Sequence, residues 1–201
     1  MRIETIIRYY NIESAAFCAV IATAVYIPVR AVWLRARHKA RKPMLAETAN
    51  ALLAGYFAAL VNIVWFPVFE FIDILTSDPA AILDISRGGY YARNYEIFRC
   101  LFVDFKPLRL LHDFEILANV ALFVPLGFLL PIAFRRLKWW QVDLICLGTT
   151  CVVELVQPIF GRAGDIDDVI TNALGGVIGC AAAGLVFKIF GRKRVVSYEK
   201  E

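Results

Sequence analysis

The chain is poor in the side chains on which most soluble catalysis depends. It has only two histidines, His38 and His112, and neither forms a Ser/His or Cys/His pairing that would activate a nucleophile. Of the five cysteines, Cys18, Cys146, Cys151 and Cys180 lie inside apolar stretches and Cys100 stands alone in a polar one. That excludes a disulfide framework and a zinc spacing, and leaves the thiols as small packing residues. No internal repeat is visible, which argues against an inverted-repeat transporter. The first apolar stretch is too long for a signal peptide and has no small-residue cleavage site, so it is expected to stay in the protein.

Apolar residues are what the chain has in excess. They make up 60% of the 201 residues, with a mean hydropathy of +0.62. A soluble domain of this length is nearer half apolar, so the surplus must face lipid. The net charge of +4 does not point to nucleic acid, because the bases cluster beside apolar stretches rather than along an amphipathic face.

A helix needs about 20 mostly apolar residues to cross the hydrocarbon core. Five stretches meet this: 14–34, 49–69, 114–134, 140–160 and 168–190. The expected fold is all-α, a polytopic membrane protein with a bundle of about five transmembrane helices. Two regions are expected: 1–113, with two spans and a long connection, and 114–201, with three spans and a basic tail. The 70–113 connection interleaves aromatics with charge, and Gly88-Gly89 breaks any helix there. It reads either as a cap lying on the outer leaflet or as a solvated loop.

Basic clusters follow spans one (Arg35, Arg37, His38, Lys39, Arg41, Lys42), three (Arg135, Arg136, Lys138) and five (Arg192, Lys193, Arg194). If every stretch crosses, all three fall on one side, which the positive-inside tendency makes cytoplasmic. The N-terminus is then outside and the C-terminus inside, with 70–113 and the 161–168 turn outside. Trp139 and Trp140, beside the basic 135–138 turn, fit an interfacial aromatic belt.

Between spans four and five the polar residues concentrate: Glu154, Gln157, Arg162, Asp165, Asp167, Asp168 and Asn172. A carboxylate within a span costs about 2.5–3.5 kcal/mol on insertion scales, so it faces protein or water and marks function. Glu154 and Gln157 share a helical face, and Pro158 ends or bends that helix. Asp165 and Asp168 fall where a helix dipole favours acids and where Asp caps free N–H groups. Asp167 faces another way. Asn172 is one turn beyond Asp168, and Gly175, Gly179 and Ala183 continue the face as a small-residue stripe that admits a close partner. Asn119 lies in the outer half of span three, at about the depth of Glu154, ahead of Pro125. It serves either as an interhelical hydrogen bond or as a ligand contact.

At these residues the chain resembles the VanZ-like membrane proteins. The motifs are Asn119, Phe123-Val124-Pro125-Leu126-Gly127, Glu154-x-x-Gln157, Arg162, Asp165-x-Asp167-Asp168 and Asn172-x-x-Gly175-x-x-x-Gly179. They cover roughly 114–190; spans one and two and the connection carry no comparable signature. The resemblance implies a small multi-spanning protein of the bacterial cell membrane. The family's namesake is linked to resistance to the glycopeptide teicoplanin, and the resemblance implies no particular reaction.

Three readings of the polar residues stand open. The first is binding of an anionic envelope lipid, a lipid-linked precursor or a lipophilic antibiotic at the outer leaflet. Asn119, Glu154, Gln157, Arg162, Asp165, Asp167, Asp168 and Asn172 would form the site. Three aspartates repel phosphate, so this reading calls for a divalent cation, Mg²⁺ or Ca²⁺, at Asp165, Asp167 and Asp168. The second is a membrane enzyme on such a lipid with Glu154 as general acid or base. The third is a structural network that holds three helices in register.

Overall fold

The structure is a computed structural model that describes residues 12–39, 43–65, 114–157 and 166–198. For residues 114, 115 and 190–198 only the backbone is described. The described residues form five helices and no strand: α1 Ile12–Ala36, α2 Met44–Val64, α3 Phe114–Ala133, α4 Trp139–Val156 and α5 Ile166–Tyr198. All five are long and apolar enough to cross a membrane. The 70–113 connection, Arg162 and Asp165 lie outside the described residues.

The fourth helix stops at Val156 rather than 160, before Pro158, and the second and fifth differ from the sequence reading as well. The second helix runs over 44–64 rather than 49–69, because Met44, Ala46 and Glu47 extend it toward Pro43. Its acidic start is tolerated because Glu47 pairs with Arg30. The fifth helix begins two residues earlier, at Ile166, and runs on through the basic tail to Tyr198. Charged residues end a hydropathy stretch but not a helix, since Lys and Arg are good helix formers.

Side-chain contacts give the direction of each helix. Ser14 meets Asn62, Thr23 meets the carbonyl of Ala51 and Arg30 meets Glu47, so α1 and α2 are antiparallel. Thr150 meets Asn172 and Cys146 lies against Gly176, so α4 and α5 are antiparallel. Val120 faces Gly175 and Val124 faces Gly179, so α3 and α5 run parallel. This is the alternation required if each helix crosses once.

The pair α3–α5 is the centre of the molecule and its most extensive contact. Four glycines make it: a Cβ on Gly127, Gly175 or Gly179 would run into the facing backbone, and one on Gly176 into Cys146. Small residues are the means by which membrane helices come close, since burial of apolar surface gives no net drive in lipid. The core beside this pair holds Phe123, Leu126, Val142 and Cys146, all fully buried. Helix α4 packs on α5, α2 on α3, and α1 lies outermost against α2. Accordingly α1 shows lipid a row of exposed Val20, Val25, Val29 and Val32.

Charge divides the bundle into two ends. Arg35, Arg37, Lys39, Arg135, Arg136 and Lys138 gather at one end, with the 192–194 backbone on the last turns of α5. There Arg30 binds Glu47 through two hydrogen bonds of 3.2 Å and stacks 4.9 Å from the Trp33 ring centroid. Trp139 and Trp140 are exposed at that end, as an interfacial belt requires. The other end holds the starts of α1, α3 and α5 and the finish of α2 and α4.

Candidate functional site

The polar residues of the motifs meet at the end opposite the bases. Asn119, in the second turn of α3, donates its side-chain amide to a carboxylate oxygen of Asp168 at 2.5 Å. Asn172, one turn further along α5, donates to the hydroxyl of Thr150 on α4 at 3.0 Å. The two bonds join three helices through neighbouring turns of α5.

Helical geometry then sets the level of Glu154. It is four residues beyond Thr150, so it lies on the same face one turn nearer the membrane surface. On the antiparallel α5 the matching step from Asn172 leads to Asp168. Glu154 therefore stands level with Asp168 and Asn119. Glu154 and Gln157 are 7% and 6% exposed, and each engages a partner. Helix α4 ends at Val156, before Pro158, with Gln157 as its C-cap.

The aspartates divide differently from a simple capping scheme. Asp167 and Asp168 both occupy the first turn of α5, where the dipole favours them. Asp168 turns sideways, with its carboxylate on Asn119 of the neighbouring helix. Asp167 is half-buried, with one carboxylate oxygen out of reach of solvent. Among the described residues no group of three His, Cys, Asp or Glu is placed to hold a metal ion. Asp165 is not among those residues.

Two partners escaped the sequence reading. Thr150 is fully buried and supplies the hydroxyl that receives Asn172. Its signal was the i, i+4 spacing to Glu154. Thr171 is buried and bonds back to the carbonyls of Asp167 and Asp168, which steadies the first turn of α5. The glycine stripe was also missing its partner, which is α3; Asn172 and Gly176, on the adjacent strip, face α4.

Asn172 is 3% exposed, and its amide oxygen has no hydrogen-bond partner among the described residues. Buried polar atoms are nearly always paired, and an unpaired one costs about 1–3 kcal/mol. The arrangement can thus receive a donor group one helical turn from the buried side chain of Glu154. Tyr56 and Asp143 also keep a buried oxygen without a partner, but they lie toward the basic half of the bundle, away from this cluster.

Comparison with known proteins agrees with these motifs. The family model VanZ/LLP1 matches residues 53–188. The match therefore begins in α2, well before the 114–190 stretch in which the motifs were read. "Protein VanZ" of Enterococcus faecium is 35% identical over 150 residues, covering 73% of this chain and 80% of that protein. No solved structure matches the chain significantly. With more than half of its length inside the family model, the chain belongs to the VanZ/LLP1 family.

Proposed function

We propose that the chain sits in the bacterial cell membrane with its polar cluster at the outer leaflet, and that the cluster binds the headgroup of an anionic envelope lipid or lipid-linked precursor. The observation that carries this reading is the buried amide oxygen of Asn172, unpaired among the described residues, at the same end of the bundle as buried Glu154. A cluster rich in acceptors is suited to hydroxyl, amide or ammonium groups, which sugars and headgroups supply. Headgroup phosphate is to be neutralised by Arg162 and by a divalent cation, Mg²⁺ or Ca²⁺, shared with the aspartates of 165–168. The basic end then faces the cytoplasm.

Withdrawing such a lipid, or holding a lipophilic glycopeptide at the same site, would lower glycopeptide susceptibility of the teicoplanin type. The relative's name, VanZ, is what connects the family to that phenotype. A second reading has an observation in its favour. Asn119–Asp168 and Asn172–Thr150 already join α3, α4 and α5, as a purely structural network would. Catalysis by Glu154 has less support, because His38 stands at the opposite, basic end.

The test is an alanine series at Glu154, Arg162, Asp167, Asp168 and Asn172 in a susceptible host, scoring membrane protein level against teicoplanin susceptibility. Lipid retained by the purified protein is measured in parallel by native mass spectrometry. Binding predicts that level persists while phenotype and retained lipid fall. If level and phenotype fall together at every position, the structural reading replaces it.

A further inference from the structure

Helices α2 and α4 run side by side without closing on each other, and an apolar trough of about 440 Å³ lies between them. Phe57, Val61 and Trp65 line it from α2, and Ile145, Gly148 and Val152 from α4. Its floor is dry, since Leu60, Val64 and Val153 are buried. Its rims are half open: Phe57 and Val61 are 39% and 40% exposed, Ile145 and Val152 37% and 53%. Among the described lining residues the polar groups are the Thr149 hydroxyl, which bonds to the carbonyl of Ile145 on its own helix, and the Trp65 indole, which bonds to the carbonyl of Val153. Both donors among these side chains are thus already engaged within the protein.

Two features fix what fits. Both walls span eight residue steps, 57–65 and 145–153, which is about 12 Å at 1.5 Å per residue. That is close to one leaflet, half of a hydrocarbon core of about 30 Å. The trough also ends at the polar cluster: Trp65 donates to the carbonyl of Val153 at 3.4 Å, and the next residue is Glu154. A transmembrane helix of a second copy spans both leaflets, so it does not match a trough about 12 Å deep.

We infer that this trough holds one acyl chain of a membrane lipid whose headgroup lies at the polar cluster. The inference deepens the headgroup reading above and rests on it for the position of the headgroup. It makes the ligand an acyl lipid, held by shape along α2 and α4 and by polar contacts at their end. Gly148 keeps the trough open. A Cβ there meets nothing within 4 Å, so a larger side chain would occupy the trough without pressing on the protein.

Full-length protein is reconstituted in phosphatidylethanolamine–phosphatidylglycerol vesicles. A small fraction of the phosphatidylglycerol carries a diazirine midway along one acyl chain. After irradiation the labelled positions are mapped by mass spectrometry. Phe57, Val61, Ile145 and Val152 should be labelled several-fold above Val20, Val25 and Val29 on the lipid-facing side of α1. Excess unlabelled phosphatidylglycerol should chase the trough label and spare the α1 label. Gly148→Phe should abolish the excess and Gly148→Ala should keep most of it, both at wild-type melting temperature. If Gly148→Phe melts early, the chase alone decides. Equal labelling of trough and α1, or an excess that neither the chase nor Gly148→Phe reduces, overturns the inference. Label that falls on residues 66–113 in place of the trough residues also overturns it, because protein then fills the space. Asn172→Ala separates the two readings. Trough labelling that survives loss of headgroup preference removes the headgroup reading alone, and headgroup preference without trough excess removes the acyl chain alone.

Discussion

Asn119 on α3 donates its amide to Asp168 on α5 across 49 residues of sequence, at the end of a parallel helix pair whose backbones nearly touch. The bond and the glycine stripe depend on each other. Without Gly175 and Gly179 the helices could not approach, and the short asparagine side chain would not reach the carboxylate.

That relationship can be measured by a double-mutant cycle with Asn119→Ala and Asp168→Ala. Interhelical hydrogen bonds in membranes average about 0.6 kcal/mol and reach about 1.7. The expected coupling lies in the upper part of that range, because the acceptor is a carboxylate. Reversible unfolding in mixed micelles gives the number, and a coupling indistinguishable from zero would show that the contact adds nothing.

The glycines divide into two groups. Gly127→Ala, Gly175→Ala and Gly179→Ala each set a Cβ against a facing backbone and should cost about 1–3 kcal/mol or more. Gly184→Ala, where a Cβ meets nothing, should be neutral or stabilising by up to about 1 kcal/mol through helix propensity. Melting temperatures of the four variants check the contrast. Uniform losses would mean that close approach is not what the glycines provide.

At the basic end, Arg30 and Glu47 form a two-bond pair with each side chain about one-fifth exposed. Glu47→Ala should destabilise by about 1.5–3 kcal/mol, the range for hydrogen bonds to charged groups. The exchanged pair Arg30→Glu with Glu47→Arg should recover part of the loss. No recovery would place the effect in the Arg30–Trp33 stacking instead.

The proposed orientation rests on the gathering of bases at one end. In a background without native cysteines, Ala163→Cys should react with an impermeant thiol reagent added outside the cell and Lys193→Cys should not. The reverse pattern would invert the protein and carry the polar cluster to the inner leaflet.

Cation binding has its own measurement. Thermal shifts of the purified protein are recorded with and without Mg²⁺ or Ca²⁺, in wild type and Asp167→Asn. A ligand at about 100 times its dissociation constant stabilises by about 2.7 kcal/mol, so a bound ion should give a clear rise that the variant loses. If neither ion shifts melting, the first-turn aspartates serve the helix terminus and Asn119 without a metal.

The sequence by itself determined the five membrane-length helices seen among the described residues, the gathering of basic clusters at one end and the gathering of Glu154, Asp168, Asn172 and Asn119 at the other. These depend on runs of apolar residues and on the spacing of charges along the chain, which a one-dimensional reading captures. Family membership was legible for the same reason, in motifs of fixed spacing. Only the tertiary structure decided which faces meet. Gly175 and Gly179 pack on α3, Asn172 turns to Thr150 on α4, and Glu47 starts α2 early because Arg30 waits across the pair. The trough between α2 and α4 had no sequence signal at all, since its lining residues look like any lipid-facing apolar residue. Helix partners are chosen by shape between residues far apart in the chain, and no period in either helix records the outline of the other.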